Sequence, residues 1–148
     1  MTVTNGSGQP LTILLVEDDD GDARAIERAF VRAKIANPIT RVVDGIAGLE
    51  ALKGRNGRAP LRSPYVMLVD LNMPRMNGIQ LVEALRQDEK LRRSIVFMLT
   101  TSKRDEDKIA AYDLNVAGYI TKQTAGEDFV NLVTLIGAYW RIVEMPPS

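Results

Sequence analysis

The chain of 148 residues contains neither cysteine nor histidine. Without cysteine it needs no oxidising compartment, and we expect it in the cytoplasm. Without histidine, the Ser-His-Asp and Cys-His nucleophilic sites, the common histidine-containing zinc sites and self-phosphorylation on histidine are excluded. Any chemistry must therefore come from carboxylates, hydroxyls, lysine and bound ions.

Long hydrophobic runs and an excess of charge of one sign are also missing. No apolar stretch approaches the roughly 18 residues that are needed to span a bilayer, and the first residues do not have the pattern of a signal peptide. The 19 basic and 19 acidic side chains give a net charge of zero, so we expect no general attraction to nucleic acid or to a membrane surface. The length and the hydrophobic fraction of 45% predict one soluble domain with its own core.

Short β-rich runs alternate with longer runs of helical period between two polar ends. We expect a flexible tail over residues 1–10, one domain over residues 11–144 and a second tail over residues 145–148. The pattern predicts strands at 11–16, 40–43, 65–69, 94–99 and 116–120, and helices at 22–36, 45–53, 78–87, 104–115 and 127–143. Several strands are apolar on consecutive residues, which is typical of parallel strands covered on both faces. The sequence therefore predicts an α/β protein of (βα)5 type.

Four of the predicted strands are followed by polar side chains. Glu17 and Asp18 follow the first strand, Asp70 the third, Thr100 the fourth and Lys122 the fifth. Because the carboxyl ends of parallel strands share one edge of a sheet, we expect these side chains to converge. Crowded carboxylates repel one another unless a cation is present, and oxygen ligands alone favour Mg²⁺ or a similar ion such as Mn²⁺.

Such a site fits phosphoryl transfer. Asp70 is the candidate nucleophile, and a metal ion would neutralise charge on the transferred group. Lys122 can pair with one phosphoryl oxygen, and the hydroxyl of Thr100 can donate a hydrogen bond to another.

Four segments carry a resemblance to the response regulator receiver family. They come in the family's order and at its spacing, and the resemblance extends over residues 11–143. The segments are LVED at 15–18, VDLNMPRMNG at 69–78, LTTS at 99–102 and GYITK at 118–122. The resemblance implies a flavodoxin-like fold with a five-stranded parallel sheet in the order 2-1-3-4-5 and helices on both faces. It also implies a single-domain signalling protein, not an enzyme with a separate substrate, which accepts a phosphoryl group from a histidine kinase and signals by protein contact.

The family pattern implies roles for the acidic residues. Asp70 corresponds to the phosphoacceptor and Asp18 to a direct metal ligand. Glu17 corresponds to a metal contact through water, and Asn72 to a ligand through its carbonyl oxygen.

The family pattern also implies a switch. Thr100 corresponds to the switch hydroxyl, Lys122 to the family's lysine, and Tyr119 to an aromatic residue that turns inward when the threonine moves. In one respect the chain departs from the family, because Gln123 replaces a proline that usually follows the lysine in a cis bond. A cis bond to a residue other than proline costs about 2.5 to 4 kcal/mol, so we expect a trans bond, a shifted loop and a less well placed Lys122.

Finer features are similar to the phytochrome-associated subgroup of these regulators. They are Glu17 in place of aspartate, the pair Asp44 and Gly45, a basic loop before Pro64 and a long last helix that contains Trp140. The resemblance makes a bacteriophytochrome a candidate for the sensor histidine kinase.

The last predicted helix is apolar on nearly all sides. One stripe, expected to cover the sheet, contains Phe129, Leu132, Val133, Ile136, Trp140 and Val143. Other apolar side chains lie off that stripe, which implies a second buried surface. We therefore expect a homodimer through this helix, with the fourth helix and fifth strand nearby. The expected interface residues are Phe129, Leu135, Tyr139, Trp140 and Ile142.

Each site residue also has a structural interpretation. Asp19, Asp20 and Asp22 are expected to cap the first helix or to lie in a solvated turn. On this structural interpretation Lys122 merely neutralises the carboxylates. Thr100 is then an ordinary residue at a strand end, and Tyr119 an ordinary half-buried aromatic. Ser102 and Asp105 have the spacing of a capping box that opens the fourth helix.

Three other functions fit the sequence less well. A receiver-like dimeric scaffold that is not regulated by phosphorylation is favoured only by Gln123. An aspartate-nucleophile phosphatase needs an acid two residues after the nucleophile, where this chain has Asn72. A DNA-binding output protein is disfavoured because nothing after Val143 can form a helix-turn-helix.

Overall fold

A computed structural model describes residues 2, 4, 8–55, 59–61, 64–110, 112–129 and 131. Within these residues the strands are β1 (Thr12–Val16), β2 (Ile39–Val42), β3 (Tyr65–Asp70), β4 (Val96–Thr100) and β5 (Gly118–Thr121). The helices are α1 (Asp20–Arg32), α2 (Gly45–Lys53), α3 (Gly78–Gln87) and α4 (Lys103–Ala110). A 3₁₀ turn, Lys122–Thr124, leads into α5, whose described residues are 125–129 and 131.

The five strands form one parallel sheet in the order β2-β1-β3-β4-β5. Every residue of β3 and β4 is buried, as expected for central strands with helices on both sides. The predicted α/β, flavodoxin-like (βα)5 fold and its strand order are confirmed.

Alternate residues along the strands supply two separate cores. Leu14 and Val16 of β1 face a cluster that includes side chains from α2, α3 and α4. Ile13 and Leu15 face a second cluster that includes side chains from α1 and α5. Two helices therefore cover one face of the sheet and three cover the other, and the carboxyl edge of the strands is left to the loops.

Phe129 of α5 belongs to the second core. It is fully buried within the chain, with its ring centroid 5.1 Å from that of Phe30 and 5.9 Å from that of Phe97. The expectation that Phe129 contacts a partner subunit is therefore wrong, because its side chain is buried in the core of its own chain. The other expected interface residues, Leu135, Tyr139, Trp140 and Ile142, lie outside the described residues.

Two predicted helices run too far. Helix α1 ends at Arg32 instead of residue 36, because Lys34 adopts the left-handed region with φ 59°. Helix α4 ends at Ala110 instead of residue 115, and beyond it Asp113 and Asn115 have φ values of 49° and 53°. The helical period of apolar residues continues past the end of each helix, but the backbone there is no longer helical.

Of the three aspartates expected to cap α1, only Asp19 is its N-cap, and its side chain accepts from the Asp22 backbone N–H at 2.8 Å. At α4, the hydroxyl of Ser102 accepts from the Asp105 backbone N–H at 3.4 Å. The Asp105 carboxylate accepts from the backbone N–H and hydroxyl of Thr101, so one half of the predicted capping box is present and its return bond goes to Thr101 instead of Ser102. Among the described helices, none has the length and apolar character needed to cross a membrane.

Candidate functional site

Three carboxylates meet at the carboxyl edge of the sheet. Glu17 and Asp18 directly follow β1, and Asp70 is the last residue of the neighbouring strand β3. One carboxylate oxygen from each lies within 4.8 Å of the other two. Glu17 and Asp70 are buried, whereas Asp18 is exposed. The convergence predicted for these residues is present.

Lys122 enters the same cluster from the end of β5. Its Nζ lies 2.7 Å from Oε1 of Glu17, 2.9 Å from Oδ2 of Asp22 and 3.2 Å from Oδ1 of Asp70. Lys122 therefore reaches the candidate nucleophile, so the expectation of a less well placed Lys122 is not borne out. Asp22, which we expected to be part of a cap or turn, belongs to this charge network.

The turn that carries Lys122 is held by Asp128 of α5. The Asp128 carboxylate accepts from the Thr121 backbone N–H at 2.9 Å and from the Thr124 hydroxyl at 3.1 Å. The same turn packs against α1. These contacts fix the backbone on both sides of Lys122 in a chain that has Gln123 at the position of the family's proline. The trans bond before Gln123 stays a prediction.

Burial dominates the ionisation of the two inner carboxylates. It raises the pKa of Glu17 to about 7, against the lowering effect of the Lys122 hydrogen bond and with help from the Asp70 charge. Burial also raises the pKa of Asp70, although Lys122 and hydrogen bonds from Glu17 and the Asn72 backbone N–H oppose it. Burial alone would lower the pKa of Lys122, but hydrogen bonds to Glu17 and Asp22 and the Asp70 charge reverse the shift and raise it.

These shifts indicate that one ammonium does not neutralise the cluster. Carboxylates in such a site hold a proton or attract another cation. The donors are hard oxygens close enough to share one ion, which suits Mg²⁺ or Mn²⁺ better than a metal that prefers nitrogen or sulfur. Glu17, Asp18 and Asp70 therefore fit a divalent cation. The carbonyl of Asn72 as a further ligand stays a prediction.

Thr100 lies on β4, the strand next to that of Asp70, and Tyr119 lies on β5, one strand further out. In the sheet register Asp70 is opposite Leu99, so Thr100 is one residue beyond that level at the same edge. Thr100 is almost fully buried. Tyr119 is half-buried and packs against the core on the α2, α3 and α4 side. The positions suit the predicted switch, but movement of these side chains stays a prediction.

Arg41 supports the acidic loop after β1 from the neighbouring strand. Its Nε donates to the Glu17 carbonyl oxygen at 3.0 Å, and its Nη1 pairs with Asp20 Oδ1 at 2.6 Å. Sequence reasoning missed this residue, because one arginine within a short edge strand carries no recognisable signal. Asp22 was missed for a similar reason, since its partner Lys122 lies 100 residues away.

A second ion pair supports the loop between β3 and α3. The buried carboxylate of Asp44 caps α2 and lies 3.1 Å from Nη1 of Arg75, whose backbone has the left-handed φ of 66°. The Gly45 backbone N–H donates to the Met76 carbonyl at 3.2 Å. A Cβ on Gly45 would lie 2.7 Å from the Met76 side chain, so this approach requires glycine. The loop that contains Asn72 is thereby tied to the start of α2.

Known proteins similar to this chain share this architecture. Response regulator Rcp1 of Synechocystis is 31% identical over 138 residues, which cover 93% of this chain and 94% of Rcp1. The structure of the Mn(2+)-bound form of Rcp1 superposes with a TM-score of 0.63 at 30% identity and covers 94% of this chain and 100% of that one.

Two further solved structures are similar over most of the chain. Bacteriophytochrome response regulator RtBRR has a TM-score of 0.77 at 33% identity, covering 93% of this chain and 84% of its own. The phosphorylated cyanobacterial phytochrome response regulator RcpA has a TM-score of 0.68 at 30% identity, covering 92% and 98%. The family description for the response regulator receiver domain matches residues 13–134. On this match, and on the shared fold, the chain belongs to the response regulator receiver family of two-component signalling proteins.

Proposed function

We propose that this chain is a phosphoacceptor of a two-component pathway and that Asp70 takes the phosphoryl group from a histidine kinase. The observation that carries the proposal is the meeting of Asp70, Lys122, Glu17 and Asp18 at one edge of the sheet. The receiver unit would extend over residues 11–144, with a short tail on each side. In this role the chain is a signalling protein that reacts once on its own side chain.

The proposed transfer uses a carboxylate oxygen of Asp70 as nucleophile. Its bond to phosphorus forms as the bond between phosphorus and a donor imidazole nitrogen breaks, and the imidazole keeps the electron pair and takes a proton from water. Because this chain has no histidine, the donor must belong to another protein. Lys122 Nζ pairs with a phosphoryl oxygen, and Thr100 donates a hydrogen bond to another.

The proposed cofactor is Mg²⁺, with Mn²⁺ as an alternative, held by Glu17, Asp18, Asp70 and the carbonyl of Asn72. A bound divalent cation would neutralise the charge that spreads over the transferred oxygens. The Mn(2+)-bound form of Rcp1 and the phosphorylated form of RcpA support this assignment by similarity.

Incubation with acetyl phosphate and Mg²⁺, followed by intact-mass measurement, tests the proposal. We expect a gain of one phosphoryl group in the wild type and none in Asp70→Asn or with a chelator. No added mass in the wild type would favour a receiver-like scaffold that is independent of phosphorylation. Added mass on Asp70→Asn would assign the acceptor to another residue.

The proposed output is a change at Thr100 and Tyr119. Once Asp70 is phosphorylated, the Thr100 hydroxyl moves toward the phosphoryl oxygens and Tyr119 turns into the space behind it, which alters the surface of α4, β5 and α5. Tyr119→Phe and Tyr119→Ala, compared with and without a phosphate analogue, test whether this surface changes. Identical amide spectra of α4 and β5 in both states would reject the switch.

A bacteriophytochrome is the proposed kinase, because RtBRR is named a bacteriophytochrome response regulator and RcpA a cyanobacterial phytochrome response regulator. Phosphotransfer from such a kinase should exceed transfer from an unrelated histidine kinase.

We also propose a homodimer through the last helix, since its sequence is apolar on nearly all sides. A monomeric mass by light scattering at micromolar concentration, with and without a phosphate analogue, would reject the dimer.

A further inference from the structure

We infer that Asp22 is a positioning residue for Lys122, holding its ammonium group beside Asp70 from the first turn of α1. The inference rests on the proposed role of Asp70 and goes beyond it, because it assigns a task to a residue whose sequence context suggests only helix capping. It follows from three contacts of one nitrogen atom.

The Lys122 ammonium has three protons and three carboxylate partners. The distances from Nζ are 2.7 Å to Glu17, 2.9 Å to Asp22 and 3.2 Å to Asp70. Glu17 and Asp70 come from adjacent strands, whereas Asp22 comes from a helix. Asp22 therefore adds a restraint from a direction that the strands do not supply.

Asp22 is itself held in place. Its backbone N–H donates to the N-cap side chain of Asp19 at 2.8 Å, which fixes the first turn of α1. The turn that contains Lys122 packs against the same helix. Lysine has a flexible four-carbon stem, so a third fixed acceptor reduces the number of positions that its ammonium can adopt.

The three partners differ in exposure. The side chains of Glu17 and Asp70 are 0% and 6% exposed, but that of Asp22 is 47% exposed. Water can therefore replace the contact to Asp22 at less cost than a contact to the buried acids. Asp22 can hold the lysine at the edge before transfer. It can release its hydrogen bond from the ammonium when a phosphoryl oxygen arrives to accept that bond. The step assisted is formation of the oxygen–phosphorus bond at Asp70 as the donor's bond to phosphorus breaks.

The test compares Asp22→Asn with Asp22→Glu and with the matched control Asp20→Asn. Asp20 is also an acid in the first turn of α1, but it pairs with Arg41 and not with Lys122. With acetyl phosphate as donor, Asp22→Asn should lower the maximal phosphorylation rate about three- to tenfold. The half-saturating donor concentration should stay unchanged, Asp22→Glu should recover most of the rate, and Asp20→Asn should match the wild type.

A double-mutant cycle separates positioning from a general charge effect. In a Lys122→Met background, Asp22→Asn should not slow the residual phosphorylation further, because the group it positions is gone. An unchanged or faster rate in Asp22→Asn, or an equal loss in the Lys122→Met background, would overturn the inference.

A readout on the metal-free protein makes the result independent of phosphorylation. The proton–nitrogen signal of the Lys122 ammonium should be observable in the wild type and Asp20→Asn, and broadened by exchange with water in Asp22→Asn. The same signal in all three would contradict the hold of Asp22 on Lys122. If the wild type gains no phosphoryl mass although the signals differ as expected, the proposed function fails and the contact between Asp22 and Lys122 stands.

Discussion

The buried polar groups at the two edges of the sheet are paired in different ways. At the amino edge, the partly buried guanidinium of Arg86 donates to four carbonyl oxygens in the loops before β4 and β5. Tyr65, at the start of β3, shares a hydrogen bond of 2.6 Å with the buried hydroxyl of Ser94. Each of these polar groups is satisfied by a neutral partner in the protein.

The carboxyl edge collects charges that its own side chains do not balance. Asp70 and Glu17 are buried there with raised pKa values, and burial is the largest cause for each. Lys122 is the cation in contact with both. An arrangement of this kind costs stability in the isolated chain and favours the binding of positive ions.

The difference teaches where stability and function lie in this fold. Both edges contain buried polar groups, but those at the amino edge join loops together, whereas those at the carboxyl edge place three carboxylates close enough to share an ion. Substitutions at the amino edge should therefore destabilise the protein without changing its chemistry. Substitutions at the carboxyl edge should change ion binding and phosphorylation more than folding.

The largest expected effect on stability is at Arg86. Arg86→Ala removes four hydrogen bonds from a charged donor and should lower the free energy of unfolding by about 3 to 4 kcal/mol. Urea unfolding measures the loss, with Arg92→Ala as control, because the exposed Arg92 contributes only its carbonyl oxygen to this network. Equal stability of both variants would mean that the amino edge does not hold the loops.

The next effect is a pH dependence that belongs to the carboxyl edge. The folded-state pKa of Glu17 is about 7, above its ordinary value of 4.5. The folded protein therefore binds more protons than the unfolded chain between these values, and its stability falls as pH rises through this window. For the metal-free protein we expect a loss of about 2 to 3 kcal/mol.

Unfolding of the metal-free wild type and Glu17→Gln at several pH values tests this loss. Glu17→Gln should flatten the dependence between pH 4.5 and about 7, and Mg²⁺ should stabilise the wild type more at the upper end of the window. A wild-type stability that rises with pH across this range would contradict the electrostatic picture of the edge.

The sequence predicts the strand order and the cluster of carboxylates far better than the side-chain contacts between distant segments. Strand order was predicted correctly from the resemblance to the receiver family, and α2 and α3 from their helical period. In the structure Asp44 and Asn77 cap these two helices. Glu17, Asp18 and Asp70 were predicted to meet because the ends of parallel strands always do. These predictions rest on family resemblance, local pattern and sheet geometry.

What could not be predicted depends on long side chains that span distant segments. Arg86 reaches carbonyl oxygens 28 and 29 residues away, and Lys122 reaches Asp22 across 100 residues. The end of α4 was also missed, because Asp113 and Asn115 adopt left-handed conformations that the apolar period does not reveal. These side-chain contacts and backbone conformations depend on tertiary geometry.

A smaller effect on the amino edge comes from Tyr65. Tyr65→Phe leaves the buried hydroxyl of Ser94 without its partner and should cost about 1.5 kcal/mol. Ser94→Ala combined with Tyr65→Phe should cost less than the sum of the two single changes, since either one already breaks the bond. Additive losses in urea unfolding would show that the hydrogen bond contributes little.

The smallest effect on stability, and the most direct probe of the carboxyl edge, is at Asp70. Asp70→Asn removes one of the crowded charges but keeps an oxygen that accepts hydrogen bonds, so the metal-free variant should be as stable as the wild type or more stable by about 1 kcal/mol. Added Mg²⁺ should raise the melting temperature of the wild type more than that of the variant, because the variant has lost a ligand. Equal gains would show that Mg²⁺ binds elsewhere, and the contrast between the two edges would then have to be explained without a metal.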